Sequence, residues 1–222
     1  MSNLQKRILT SIIIFPLTIF FVFQGGYFLL SFLLVVFFIA NFELFLVFKK
    51  KTTILFLDLI LIISFFSIYY LRDHSETSLK LLIWFIILTI CSDIGGYVFG
   101  KIFKWKKLTK ISPKKTLSGV LGSFTLSLLS LFLLEIIITY SFFDGIRSKP
   151  ITFLEPEFFF LAIILSLTAQ VGDLTISYFK RLEKIKDVGK ILPGHGGIFD
   201  RIDSLMFVII LGFLLYNFNI IP

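Results

Sequence analysis

Residues 27–48 read YFLLSFLLVVFFIANFELFLVF, and Lys49, Lys50 and Lys51 follow at once. Glu43 is the single charged side chain in that stretch. The run matches the ~20 apolar residues that carry a helix across a bilayer. A helix satisfies its own backbone hydrogen bonds in lipid, so the run is expected to be helical. Six further segments of this kind lie at 8–24, 54–71, 81–100, 117–140, 157–176 and 204–221.

The whole chain agrees with that reading. Of 222 residues, 57% are apolar, 16% are charged and 30 are Phe, and the mean hydropathy is +0.96. A soluble domain of this length has too little interior for so much apolar side chain, and a disordered chain would be far more polar. The expected fold is an all-α integral membrane protein, a polytopic bundle of about seven transmembrane helices forming one domain over 1–222. Internal repeats and low-complexity linkers are not detectable. The lone cysteine, Cys91, excludes an internal disulfide and any multi-cysteine metal site.

Charge fixes the expected orientation. With the N-terminus inside, the inner segments hold Lys6, Arg7, Lys49–Lys51, seven lysines from Lys101 to Lys115, and Lys180, Arg181, Lys184, Lys186, Lys190 and Arg201. Only Arg72, Lys80, Arg147 and Lys149 fall outside, a split of eighteen to four. The excess of cytoplasmic Lys and Arg predicts N-inside, C-outside. Gln24-Gly25-Gly26 reads as a turn rather than a signal-peptide cleavage site, so the first span is expected to be retained, in a bacterial inner (cytoplasmic) membrane.

Carboxylates in lipid are costly and tend to face a bundle interior. At ~1.5 Å per residue, Asp93 lies roughly 18 Å and Asp173 roughly 24 Å in from the outer helix ends. Glu43 is similarly deep, Asp58 is near the inner end of its span, and Glu135 is near an outer end. Glu43, Asp58 and Glu135 are read as acids near helix ends that reach the interface. Asp93 sits beside Gly95 and Gly96, which permit close approach by a backbone or a ligand. It is either a structural hydrogen-bond partner or a polar wall of a site.

Two basic inner loops carry the chemistry. The first ends Ser112-Pro113-Lys114-Lys115-Thr116, where a helix opens with Gly119 and Gly122. Hydroxyls, lysines and a helix N-terminus suit a phosphate. The second segment runs from Gln170-Val171-Gly172-Asp173 through Ser177, Lys180, Arg181, Lys186 and Asp187 to Pro193-Gly194-His195-Gly196-Gly197 and Asp200-Arg201-Ile202-Asp203-Ser204. If the sixth helix continues inward, Asp173, Ser177 and Lys180 share one face at i, i+4 and i+7. Asp200 and Asp203 also share a face. Asp200 is either a helix cap or one of a set of acids for a hard cation that handles phosphates. His195 is open between a phosphate contact, a local hydrogen bond and a metal ligand.

The second segment resembles the signature of the phosphatidate cytidylyltransferases (CDP-diacylglycerol synthases). The residues that carry the likeness are Ser177, Lys180-Arg181, Lys186-Asp187, Pro193-Gly194-His195-Gly196-Gly197, Asp200-Arg201 and Asp203-Ser204. Ser112-Pro113-Lys114-Lys115-Thr116 is similar to the family's S-P-K-K-T loop. Asp93-x-Gly95-Gly96-Tyr97-x-x-Gly100-Lys101 is similar to its D-x-x-A-Y-x-x-G-[RK] segment. There are departures: Leu117-Ser118-Gly119 stands where Trp-Glu-Gly is usual, Gly96 replaces Ala, and the chain is short for the family.

The resemblance implies N-terminal spans over 1–80, a catalytic part over 81–222 and an active site on the cytoplasmic face. The implied reaction is CTP plus phosphatidate giving CDP-diacylglycerol and pyrophosphate. Implied roles are Asp173, Asp200 and Asp203 for Mg²⁺, with K⁺ as a further candidate. Lys180, Arg181, Lys186, Arg201, Lys114 and Lys115 would neutralise phosphates. Ser112, Ser177, Asp187, Gly194, His195, Gly196 and Gly197 would contact substrate. A homodimer in the lipid bilayer is the implied assembly, with no nucleic-acid partner. The nearest rivals are a polyprenol or phytol kinase and a cytidylyltransferase for another lipid phosphate. A secondary transporter would need a path of polar groups across the membrane and paired repeats, and neither is legible.

Overall fold

The computed structural model describes residues 3–109, 112–113, 115–140, 152–189, 191–192 and 196–221. Seven helices account for nearly all of them. They are α1 (Asn3–Gln24), α2 (Gly26–Val47), α3 (Lys51–His74), α4 (Glu76–Phe103), α5 (Leu117–Tyr140), α6 (Pro156–Leu182) and α7 (Phe199–Asn217). Among the described residues there is no strand, only isolated bridges at Lys107–Thr116 and Leu192–Gly196. The chain is thus an all-α polytopic membrane bundle. α2 to α6 have the length and apolar composition of membrane spans, while the apolar part of α1, Ile12–Gln24, is shorter.

Apolar side chains face both ways, as lipid requires. Phe38, Phe45, Leu46, Leu55 and Phe160 are exposed on the outside of the bundle, whereas Trp84, Phe85, Phe153, Leu165 and Ile209 are buried. With lipid outside, apolar burial gives little drive to associate, so close packing and interhelical hydrogen bonds hold the helices. α4 and α5 show this most clearly. Gly95 and Gly122 approach so closely that a Cβ on either would collide with the other's carbonyl oxygen. Ser123 Oγ donates to Ser92 O at 2.8 Å, and Trp84 Nε1 donates to Ser130 Oγ at 3.2 Å. A third link, between the hydroxyls of Ser92 and Ser166 at 3.0 Å, joins α4 to α6.

Helix ends follow local chemistry. Ser75 caps α4, accepting from Ser78 N at 3.0 Å in a capping box. Pro156 opens α6, where its missing N–H costs nothing. Several helices run past their apolar segments, and two of these extensions build the site. α6 runs on to Leu182 instead of stopping near 176, and α7 begins at Phe199 instead of 204. Both extensions are polar, so hydropathy alone misses them. Charged partners at one end of the bundle sustain them.

Candidate active site

That end gathers the loop after α4, the end of α6 and the start of α7 around a cavity of about 430 Å³. The α6 face forms as its spacing predicts. Ser177 Oγ donates to Asp173 Oδ1 at 3.3 Å, and Lys180 lies beyond it. Lys180 is buried, with Nζ 3.0 Å from Asp200 Oδ1 and 3.6 Å from Asp203 Oδ2. Its charge therefore offsets part of that of the two acids that α7 brings in.

The first basic loop folds back on itself. Leu108 N donates to Lys115 O at 2.8 Å, and Leu117 N donates to Lys106 O at 3.0 Å. This pairing delivers Lys115 to α6, where Nζ stands 2.7 Å from Asp173 Oδ2 and also donates to Gln170 O at 3.3 Å. Ser112 lines the cavity beside it, with Thr116 and Ser123. Lys114 lies outside the described residues.

Asp200 organises the second segment. Its Oδ2 accepts from Val188 N at 2.8 Å and from Gly197 N at 3.0 Å, while Oδ1 takes Lys180. Gly196 has φ +90°, and a Cβ there would press on Asp200 Oδ2. Leu192 and Gly196 exchange backbone hydrogen bonds around the turn. Gly194 and His195 lie outside the described residues, so their roles stay expectations.

Not every expected residue meets the cavity. Asp173, Lys180, Asp187, Asp200, Arg201 and Asp203 line it. Arg181 is exposed and donates from Nη1 to Ile185 O at 2.7 Å, holding the turn after α6. Lys186 is exposed, and Ser177 reaches the site through Asp173.

One acid takes one of its two sequence readings, and another departs from its own. Asp93 is a wall of the cavity, and its Oδ2 accepts from Ser204 Oγ at 3.3 Å. Glu43 does not reach an interface: it is 1% exposed, and its two oxygens accept from Ile198 N and Phe199 N, each at 3.1 Å. The only trace of this in the sequence is a lone acid in an otherwise apolar span. Asp58 Oδ1 and Glu135 Oε2 are buried with no hydrogen-bond partner among the described residues.

The donors fit a hard, oxygen-seeking cation. Asp93, Asp173 and Asp203 line one cavity and are close enough to repel one another. A divalent ion relieves such repulsion, and Mg²⁺ binds through one or two carboxylates, taking the rest of its shell from water and phosphates. Among the described residues no three His, Cys, Asp or Glu side chains form a ready-made metal cage.

The model of the cytidylyltransferase family matches residues 48–219. The chain is 34% identical over 146 residues to a phosphatidate cytidylyltransferase of Helicobacter pylori, covering 65% of this chain and 49% of that protein. It is 36% identical over 141 residues to one of Staphylococcus saprophyticus, covering 63% and 50%. It is 40% identical over 138 residues to one of Rickettsia conorii, covering 60% and 57%. The chain spans about half the length of the curated relatives it matches. The family match takes in the loop, the α6 face and the α7 acids that together build the cavity, and the chain belongs to the cytidylyltransferase family.

Proposed function

We propose that the chain transfers CMP from CTP to phosphatidate, giving CDP-diacylglycerol and pyrophosphate, for phospholipid synthesis. One observation carries this reading: Lys115, Asp173, Lys180, Asp200, Arg201 and Asp203 come from three separate segments and wall one cavity at the end of the bundle. The relatives named phosphatidate cytidylyltransferase support it. One substrate is a lipid phosphate held in a leaflet and the other is a soluble polyanion. A cavity at the end of a membrane bundle, walled by Lys115, Lys180 and Arg201 together with acids that a divalent cation can bridge to phosphate, can receive both.

In this reading a phosphatidate oxygen attacks the α-phosphorus of CTP. The bond from that phosphorus to the bridging oxygen of the β-phosphate breaks, and pyrophosphate leaves. Such chemistry is mostly positioning and charge neutralisation. Lys115 and Arg201 meet phosphate charge, with Ser112 and Thr116 as hydrogen-bond donors at the loop. Lys180 acts through Asp200 and Asp203, which it holds in place. Asp173 and Asp203 would hold Mg²⁺, with Asp93 beside them. Asp200 stands behind them, its oxygens engaged by Lys180 and the loop amides. When bound, Mg²⁺ supplies neutralisation of the triphosphate.

The lysine-rich end is placed in the cytoplasm by the positive-inside rule, with the N-terminus on the same side and the bundle in an inner (cytoplasmic) membrane. The test is product identity. Protein in phosphatidate-containing vesicles is given CTP, with and without Mg²⁺. Mg²⁺-dependent CDP-diacylglycerol and pyrophosphate are expected. Release of CDP with a phosphorylated lipid would instead identify a kinase.

A further inference from the structure

We propose that Glu43 is a positioning residue for the transfer: from α2 it fixes the start of α7, and so the placement of Asp200, Arg201 and Asp203 around the cavity. This rests on the cytidylyl-transfer reading above.

Glu43 lies outside the stretch matched by the family model, which begins at residue 48. Yet it reaches a segment 155 residues further on. Its carboxylate is used at both oxygens, Oε1 by Ile198 N and Oε2 by Phe199 N. Gly189 and Gly197 close around it, and a Cβ on either would run into the Glu43 carboxylate. The acid is therefore clasped by the backbone of the same segment that carries the signature residues. A second tie lies near the end of α2, where Lys49 N donates to Glu183 Oε1 at 3.4 Å.

The first N–H groups of a helix have no partner within it. At the start of α7 Glu43 takes two such groups, Ile198 N and Phe199 N, and Asp200 takes an N–H just before the helix, that of Gly197. Negative charge is also favoured at that end of the helix dipole. These contacts explain why α7 starts five residues before its apolar run. Arg201 and Asp203 lie in the turns that follow, and an error of about 1 Å at such groups can cost about a hundredfold in rate. An amide in place of the carboxylate offers one acceptor, and its NH₂ would face the other N–H donor. Glu43→Gln therefore keeps the size of the side chain but breaks the paired grip.

The experiment uses the full chain in phosphatidate vesicles and compares wild type with Glu43→Gln, Ile198→Pro and the double variant. Ile198 has φ −63°, which proline adopts, so Ile198→Pro removes one donor while leaving Glu43 in place. Phe42→Ala, a lipid-facing neighbour on α2, is the control. Glu43→Gln is expected to lower kcat about tenfold or more. The KM for phosphatidate is expected to stay within about twofold. Amide exchange at Ile198 and Phe199 should speed up. The double variant should be no worse than the poorer single variant, because both act through one contact.

An unchanged kcat in folded Glu43→Gln, or losses that multiply in the double variant, would overturn the proposal. If Glu43→Gln does not fold, Ile198→Pro alone decides by the same kcat criterion. Inactivity of wild type would sink the cytidylyl-transfer reading. The exchange measurement would then still decide whether Glu43 holds α7, with unchanged protection counting against it.

Discussion

The two ends of the bundle each carry a cavity, of about 430 Å³ and about 460 Å³. Their walls differ. The second is lined, among the described residues, by Tyr70, His74, Tyr216, Asn217, Asn219, Ile220 and Ile221, without a lysine or a carboxylate side chain. Its neighbours with charge are occupied in closing turns. Arg72 Nε donates to Val22 O at 2.7 Å, its Nη1 pairs with Asp73, and Asp73 accepts from Gly26 N. The hydroxyls of Tyr216 and Ser75 meet at 3.0 Å. At the other end, charges from α4, the following loop, α6 and α7 converge on one space. Cavity size does not separate the two ends. Convergence of charge from distant segments on the cavity wall does.

The sharpest way to break that contrast is Asp173→Asn. Asp173 faces Lys115 in the cavity, and its loss should reduce CDP-diacylglycerol formation by about a hundredfold to a thousandfold. A folded Asp173→Asn with wild-type turnover would remove the carboxylate from the chemistry. Asp200→Asn should come next, and it should act on stability as well. It weakens a buried pair with Lys180 and loosens Val188 and Gly197, so a loss of about 3 kcal/mol in unfolding free energy is expected alongside the fall in activity. Denaturant or thermal unfolding in detergent would measure it.

Lys115→Gln sharpens the comparison in the opposite way. The Lys115–Asp173 pair is partly open to solvent, so stability should change by only about 0–1 kcal/mol. The KM for CTP or phosphatidate should nevertheless rise about tenfold, because the lysine meets substrate charge. A stability loss as large as that of Asp200→Asn would mean that Lys115 is structural. The smallest effect is expected from His74→Ala at the other end. His74 stacks on Tyr70 at 4.6 Å, which is worth about 1 kcal/mol, and turnover should be unchanged. A substantial loss of activity there would show that the ends are coupled.

Much of this was legible in the sequence because periodicity is local. The spacing of Asp173, Ser177 and Lys180 set one α6 face, and their polar contacts lie there. The runs of apolar residues marked every helix. What was not legible depends on partners far along the chain. Glu43 reads as an acid near a helix end until Ile198 and Phe199 are seen above it. The start of α7 was read five residues late because Asp200, Arg201 and Asp203 lower its hydropathy. Asp200 suited a metal by type, yet its oxygens meet Lys180 and two loop amides. Spacing could not indicate those partners, which come from other parts of the chain.

The most direct measurement is cytidylyl transfer from CTP to phosphatidate by wild type, Asp173→Asn and His74→Ala, assayed side by side in Mg²⁺. The expected result is CDP-diacylglycerol from wild type and His74→Ala, and almost none from folded Asp173→Asn. Equal turnover by all three, or loss in His74→Ala with Asp173→Asn intact, would contradict the assignment of the chemistry to the lysine-rich end.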